Sequence, residues 1–107
     1  MLEAAQAVQR LASGKTLTDY RADPDLAAAI ERHLERLSEA SRHLPSSLKN
    51  DHPQIDWRGV ADIGNVLRHA YDQVIDRRIW QTITEDVPEL IATIEAMIAE
   101  TNSDGER

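Results

Sequence analysis

No cysteine occurs among the 107 residues. That absence excludes a disulfide framework and a thiolate metal site, and it fits a reducing compartment. No run reaches the roughly 18 consecutive apolar residues of a membrane-spanning helix, and no charged-then-apolar signal segment opens the chain. A cytoplasmic setting away from membranes is therefore expected. The four histidines, His33, His43, His52 and His69, have neither the i, i+4 pairing nor the Cys/His spacing of zinc sites, so no metal is expected. Glycine-rich phosphate loops and serine nucleophile elbows are missing as well. No stretch sustains the alternation of a half-buried strand.

What is present is one domain's worth of chain, able to bury a single core. Its formal charge is −7, which argues against binding nucleic acid through the overall field. The charge is uneven, however: residues 85–107 hold seven acidic side chains and one basic, and they carry all but one unit of the excess. The segment before them is nearly neutral and contains Arg58, Arg68, Arg77 and Arg78. A local phosphate site is compatible with that distribution.

Four segments carry the 3.6-residue spacing of amphipathic helices. The first is predicted over about Leu2 to Ala12, with Ala5, Val8 and Leu11 on one face and Gly14 as its terminator. After a brief turn over Thr16 to Arg21, Asp23 and Pro24 supply an N-cap and a first-turn proline for a long second helix. Its stripe is Leu26, Ile30, Leu34, Leu37, Ala40 and Leu44, closed by Pro45. Residues 46–53 read as the main loop. Asp56 caps a third helix from Trp57 to about Val74, with Val60, Ile63, Leu67, Ala70 and Val74 inward. The fourth starts near Asp76, bends or breaks at Thr84 to Pro88, and continues through Leu90, Ile91, Ile94, Met97 and Ile98. Short connections between long helices favour an antiparallel four-helix bundle over residues 1–100, with 101–107 a polar, frayed tail.

The chemistry gathers at Asn65-Val66-Leu67-Arg68-His69-Ala70-Tyr71. Steps of about 100° turn His69 roughly 200° from Leu67, with Asp62, Asn65, Asp72 and Asp76 beside it. A histidine there is either a solvated surface residue or part of a cleft that something else completes. Val66 lies on the histidine's side, outside the stripe, as it would if a second copy covered that face. Arg68 is either a phosphate ligand or a surface arginine whose stem covers apolar area. Asn65 shares a face with His69 and is placed to orient the ring. Tyr71, about 40° from Leu67, reads as a rim residue. Glu31, Glu35 and Glu39, interleaved with Arg32 and Arg36, read as a solvated, paired face rather than a catalytic pair.

This segment resembles the Arg…His-x-Tyr signature of the HepT-like branch of the HEPN superfamily. Trp57-Arg58, Trp80, Asp86-Val87-Pro88-Glu89-Leu90, Met1 to Ala7 and Ser38-Glu39-Ala40 extend the resemblance over most of the chain. One position departs: Gly64 stands where the family writes an arginine five residues before the histidine. The resemblance implies the same helical bundle and a toxin that cleaves RNA without a metal through His69. Arg68, one helical turn after Gly64, is the expected substitute for the missing arginine if it is not simply a surface arginine; Asn65 is expected to assist, and Arg58, Asp72 and Glu39 to support. It also implies a minimal nucleotidyltransferase antitoxin that modifies Tyr71 with AMP, and further residues ahead of Met1. Trp57 and Trp80 are expected to be packing anchors rather than platforms for bases.

Cleavage through imidazole needs a base for the ribose 2′-hydroxyl and an acid for the leaving oxygen. One chain offers only His69 on this face, so a homodimer or larger homo-oligomer is required. The alternative is a catalytically silent HEPN module that docks the nucleotidyltransferase and lost cleavage with the arginine. A plain helical scaffold is the third reading, and it leaves the motif and its tryptophans coincidental.

Overall fold

Threonine, aspartate and proline set the element boundaries that apolar spacing only outlines. The computed structural model describes residues 1–68 and 73–105, and its regular structure there is entirely helical. In order come α1 (Leu2–Ala12), α2 (Leu17–Ala22), α3 (Pro24–Arg42), α4 (Ser46–Asn50), α5 (Trp57–Leu67), α6 (Gln73–Gln81), a π-helical turn (Thr82–Asp86) and α7 (Val87–Gly105). The all-α, HEPN-like bundle expected from the sequence is what forms.

Helix α3 is the axis of the packing. Its Ile30, Leu34 and Leu37 are fully buried, and α1, α2 and α5 all pack on it. Helix α1 inserts Ala5 and Val8 between α3 and α7. The arm formed by α6, the π turn and α7 supplies Ile79, Ile83, Val87, Leu90 and Ile94 to the same core. Truncating Leu34 to alanine there costs about 2–5 kcal/mol, the usual range for a buried leucine. Helix α5 differs: it has no buried residue, and Val60, Ile63, Val66 and Leu67 are only partly covered.

The stretch expected as a brief turn is helix α2. Thr16 and Asp19 form a reciprocal capping box, with Thr16 N–H donating to Asp19 Oδ2 at 2.8 Å and Asp19 N–H donating to Thr16 Oγ1 at 3.1 Å. Six residues cannot sustain a helix alone; tertiary contacts hold this one. Tyr20 is buried, donates to Glu31 Oε1 at 3.0 Å and packs on Trp80 with ring centroids 5.5 Å apart. Arg21 lies 3.8 Å from Asp76. Glu31 therefore leaves the solvated stripe expected for α3 and is tied to Tyr20.

Asp23 caps α3 as expected, accepting from the Asp25 and Leu26 amides at 3.1 Å each. The helix ends at Arg42, before Leu44, and Pro45 opens the short α4 inside what reads as the main loop. Beyond α4, the Trp57 indole donates to the His52 carbonyl at 3.0 Å, and the buried His52 ring lies 3.4 Å from Glu100 of α7. These contacts fold the connection back onto the bundle. Both tryptophans act as anchors.

The expected break near Pro88 is the π turn. Proline at the second position of α7 has no N–H for the Thr84 carbonyl and crowds it. Widening the helix by one residue removes the conflict, and the Val87 amide bonds to Thr82 instead. The threonine hydroxyls serve carbonyls of the preceding turn: Thr82 donates to Arg78 and Thr84 to Trp80, both at 3.1 Å. Among the described residues no helix is long and apolar enough to cross a membrane.

Burial, and then the Glu31 charge, hold the Tyr20 hydroxyl well above its usual value near 10. A raised folded-state value means that the unfolded chain loses this proton first. The contribution to stability is whole below about pH 10 and fades as pH rises beyond it. Urea denaturation should show an alkaline decline that is smaller in Tyr20→Phe, a variant weaker by about 0.5–1.5 kcal/mol at pH 8 for its lost hydrogen bond. Equal declines in both proteins would contradict the assignment.

Candidate functional site

Helix α5 begins with Asp56, whose Oδ1 accepts from the Gly59 amide at 3.0 Å. A Cβ at position 59 would come within 2.5 Å of the same carboxylate, so a side chain there would displace the cap. Five residues on, the helix is fastened to α3 chiefly through one carbonyl. Ala61 O accepts from Ser38 Oγ at 2.9 Å and from Arg42 Nη2 and Nε at 2.7 and 3.2 Å. The buried Ser38 hydroxyl also accepts from the Gly64 amide at 3.4 Å. Arg42 is held in turn by Glu39, 3.5 Å from its Nη1, and Glu39 meets His43 at 3.2 Å. Glu39 thus acts on the guanidinium that grips α5, and Arg42 is committed to protein groups.

This junction bears on Gly64. The glycine faces α3, as close helix approach would require, yet a Cβ built there would sit 3.9 Å from Ser38 Oγ. That is ordinary van der Waals contact, so packing leaves room for the first carbon of a side chain.

The side of α5 turned from the core presents Arg58, Asp62, Asn65 and Arg68, all exposed. Arg58 and Asp62, with Arg42 and Asp56, line a shallow depression. Asp62 puts a carboxylate between Arg58 and Asn65, which limits how continuous a phosphate track along this face can be. Arg68 is the C-cap of the helix, where a cation also favours the negative end of the helix dipole. Its backbone N–H donates to the Val66 carbonyl, and among the described residues its guanidinium has no hydrogen-bond or ion-pair partner. The structure therefore brings Asn65 and Arg68 together at the outward end of α5, with Arg58 about three turns earlier. His69, Tyr71 and Asp72 lie outside the described residues, as does Ala70. The third helix, expected to reach about Val74, ends at Leu67 with Arg68 as its C-cap, and Val74 belongs to α6; the helical-wheel placement of His69 on a continuous third helix therefore has no structural counterpart.

Val66 corrects an expectation. It does not stand apart on the outward face; it packs against the chain's own core and lines a cleft on the opposite side of α5. One chain accounts for its burial, and it offers no sign of a covering copy. Sequence reasoning also missed Ser38 and Arg42. Both are polar residues near the end of an amphipathic helix, and only the tertiary approach of α5 distinguishes them from surface side chains.

The cleft beside Val66 has a volume of about 360 Å³ and an apolar floor including Leu34, Leu37, Val60 and Ile63. Its rim bears Asp56, Glu85, Asp86 and Glu89. Burial, then the charges of Glu85, Glu89 and Asp56, hold the Asp86 carboxyl above its ordinary range. With four carboxylates against the single guanidinium of Arg78, this mouth disfavours phosphate, and neither Asn65 nor Arg68 lines it. Among the described residues no cluster of three or more histidines, cysteines or carboxylates is arranged to hold a metal ion.

The family described as Ribonuclease HepT-like matches residues 1–97. The chain is 34% identical over 95 residues to a protein of Thermococcus cleftensis named a probable ribonuclease HepT, covering 89% of this chain and 86% of that one. It is 36% identical over 77 residues to a protein of Caldanaerobacter subterraneus subsp. tengcongensis named a candidate RNase, covering 72% and 69%. A similarly named protein of Methanocaldococcus jannaschii is 31% identical over 91 residues, covering 85% and 75%. No solved structure matches.

The junction geometry separates two substitutions. Gly64→Ala should fold and gain up to about 1 kcal/mol from helix propensity, whereas Ser38→Ala should lose about 0.5–1.5 kcal/mol with the hydroxyl's hydrogen bonds. Urea midpoints measure both. A Gly64→Ala protein less stable than the parent would show that α3 tolerates nothing but glycine.

Proposed function

This chain belongs to the Ribonuclease HepT-like family, and from that premise we propose that it is a metal-independent endoribonuclease acting as a dimer or larger homo-oligomer. The observation that carries the reading is the exposed pair Asn65 and Arg68 at the outward end of α5, immediately before His69 in the sequence. In the proposed reaction one imidazole accepts the proton of the ribose 2′-hydroxyl. The resulting oxygen attacks phosphorus, and the P–O5′ bond breaks. A second imidazole gives a proton to the departing 5′-oxygen, leaving a 2′,3′-cyclic phosphate. The Arg68 guanidinium balances the charge that builds on the non-bridging oxygens, and Asn65 orients the ring. Arg58 draws the RNA backbone toward the site, Glu39 acts through Arg42 on the seating of α5, and Asp72 supports the cluster. Each chain brings one His69, so the acid and the base come from two copies meeting at a twofold axis.

In this reading the chain is a cytoplasmic toxin, and its antitoxin is a minimal nucleotidyltransferase that transfers AMP to Tyr71. The added phosphate places negative charge two residues from His69 and blocks RNA by repulsion and bulk. A second reading rests on Gly64, which supplies no guanidinium where the resemblance expects one: a silent module that docks the nucleotidyltransferase without cutting.

Incubation with single-stranded RNA in excess chelator decides between them. The enzyme yields cyclic-phosphate ends, His69→Ala loses at least about 10²-fold in rate, and Arg68→Ala loses a comparable factor. Gly64→Arg retains or raises activity. Cleavage no faster than His69→Ala leaves the silent module, and a fully active Arg68→Ala removes that residue from the mechanism. After co-expression with a nucleotidyltransferase encoded beside it, mass spectrometry should find AMP on Tyr71; an unmodified tyrosine in cells whose toxicity is neutralised counts against the partner.

A further inference from the structure

The cleft between α5 and the π turn has no part in the reading above. Its floor exists because α5, strongly amphipathic, leaves Val60, Ile63 and Val66 only partly covered. Its rim exists because the π turn and the start of α7 bring Glu85, Asp86 and Glu89 opposite Asp56 at the start of α5. Apolar surface edged by four carboxylates against the one guanidinium of Arg78 is costly to leave in water and costly to cover with an acidic partner. The Asp86 carboxyl is held above its ordinary range, and its strongest influences are burial and then its acidic neighbours Glu85, Glu89 and Asp56. Arg78, also on the lining, is not among them.

We propose that this cleft is a docking groove for a basic amphipathic helix of a protein partner. Apolar side chains of such a helix enter between Val60, Ile63 and Leu90, and its lysines or arginines lie over the carboxylates. Helical form suits the rim: Glu85, in the π turn, and Glu89, in the first turn of α7, lie along one wall, where cations one turn apart on a facing helix can cover both. RNA is excluded by the sign of the rim. The assignment stands on the cleft alone and holds whether or not the chain cleaves RNA.

The test uses the full chain and three labelled synthetic peptides, read by fluorescence anisotropy. One carries leucine and lysine at amphipathic helical spacing, one has the same residues scrambled, and one replaces every lysine with glutamate. The first should bind and the acidic one should not, with the scrambled peptide about tenfold weaker or worse. Glu85→Lys with Glu89→Lys should weaken binding of the first by about tenfold or more, whereas Glu3→Lys with Glu95→Lys, exposed carboxylates away from the groove, should change it less than about twofold. Equal losses in the two double variants, or equal binding of the scrambled peptide, would reduce the effect to attraction by an acidic protein and overturn the proposal. Because the chain has no cysteine, Gln81→Cys gives a single thiol on the groove lining. Ready labelling of that thiol at concentrations where the chain self-associates is expected. Protection from labelling there would mean that a second copy fills the groove, and the proposal would fall.

Discussion

One backbone carbonyl decides how this molecule presents its chemistry. Ala61 O lies in the middle of α5, already within a helix, and yet receives the Ser38 hydroxyl and the Arg42 guanidinium from α3. Helix α5 buries none of its own residues, so hydrophobic burial alone holds it less firmly than α1 or α7. The polar fastening supplies direction that a half-covered apolar stripe cannot: it fixes which way α5 is rotated. That rotation sends Asn65 and Arg68 outward and turns Val66 inward. Hydrogen bonds to a charged donor contribute more than neutral ones, and here the charged donor is itself steadied by Glu39.

The two sides of α5 then have separate roles. Outward, its exposed end carries an amide and a guanidinium next to His69 in the sequence, which suits phosphate chemistry. Inward, it roofs an apolar cleft whose mouth is acidic. The overall charge of −7 looks unfavourable for a protein proposed to act on RNA. Its location resolves the conflict in part, because the carboxylates of the C-terminal arm ring the cleft and leave the outward end of α5 to Asn65 and Arg68. Asp62 remains on that outward side, so substrate attraction there is local and weakly steered.

Periodicity and capping made most of the fold legible. Asp23-Pro24 marked the start of α3 to the residue, Asp56 marked α5, and the crowded proline at position 88 marked a disturbance that proved to be a π turn. The spacing rules fell short where local sequence is ambiguous and tertiary contact decides. Residues 17–22 are too few to show a helical period, and α2 exists because Tyr20 is clamped between Glu31 and Trp80. Ser46 to Asn50 has turn chemistry and is helical for barely more than one turn. Val66 falls outside a stripe drawn around Leu67 because that stripe is too narrow; α5 lies against a cleft as well as a core, and its apolar face is wider than a single seam. At the site, Asn65 and Arg68 could be singled out by residue type, while Ser38 and Arg42 could not, since their value lies in reaching a carbonyl about twenty residues away in the chain.

If two chains each contribute one imidazole to a shared cleft, as proposed, mixing wild-type and variant subunits will reveal it. A fixed amount of wild-type protein is equilibrated with rising proportions of His69→Ala, and RNA cleavage is followed in chelator. If acid and base come from different copies, specific activity per wild-type chain falls in proportion to the wild-type fraction, because mixed pairs are dead. Activity per wild-type chain that stays constant at every ratio, with subunit exchange verified, would mean that a single chain cuts alone and would contradict the account.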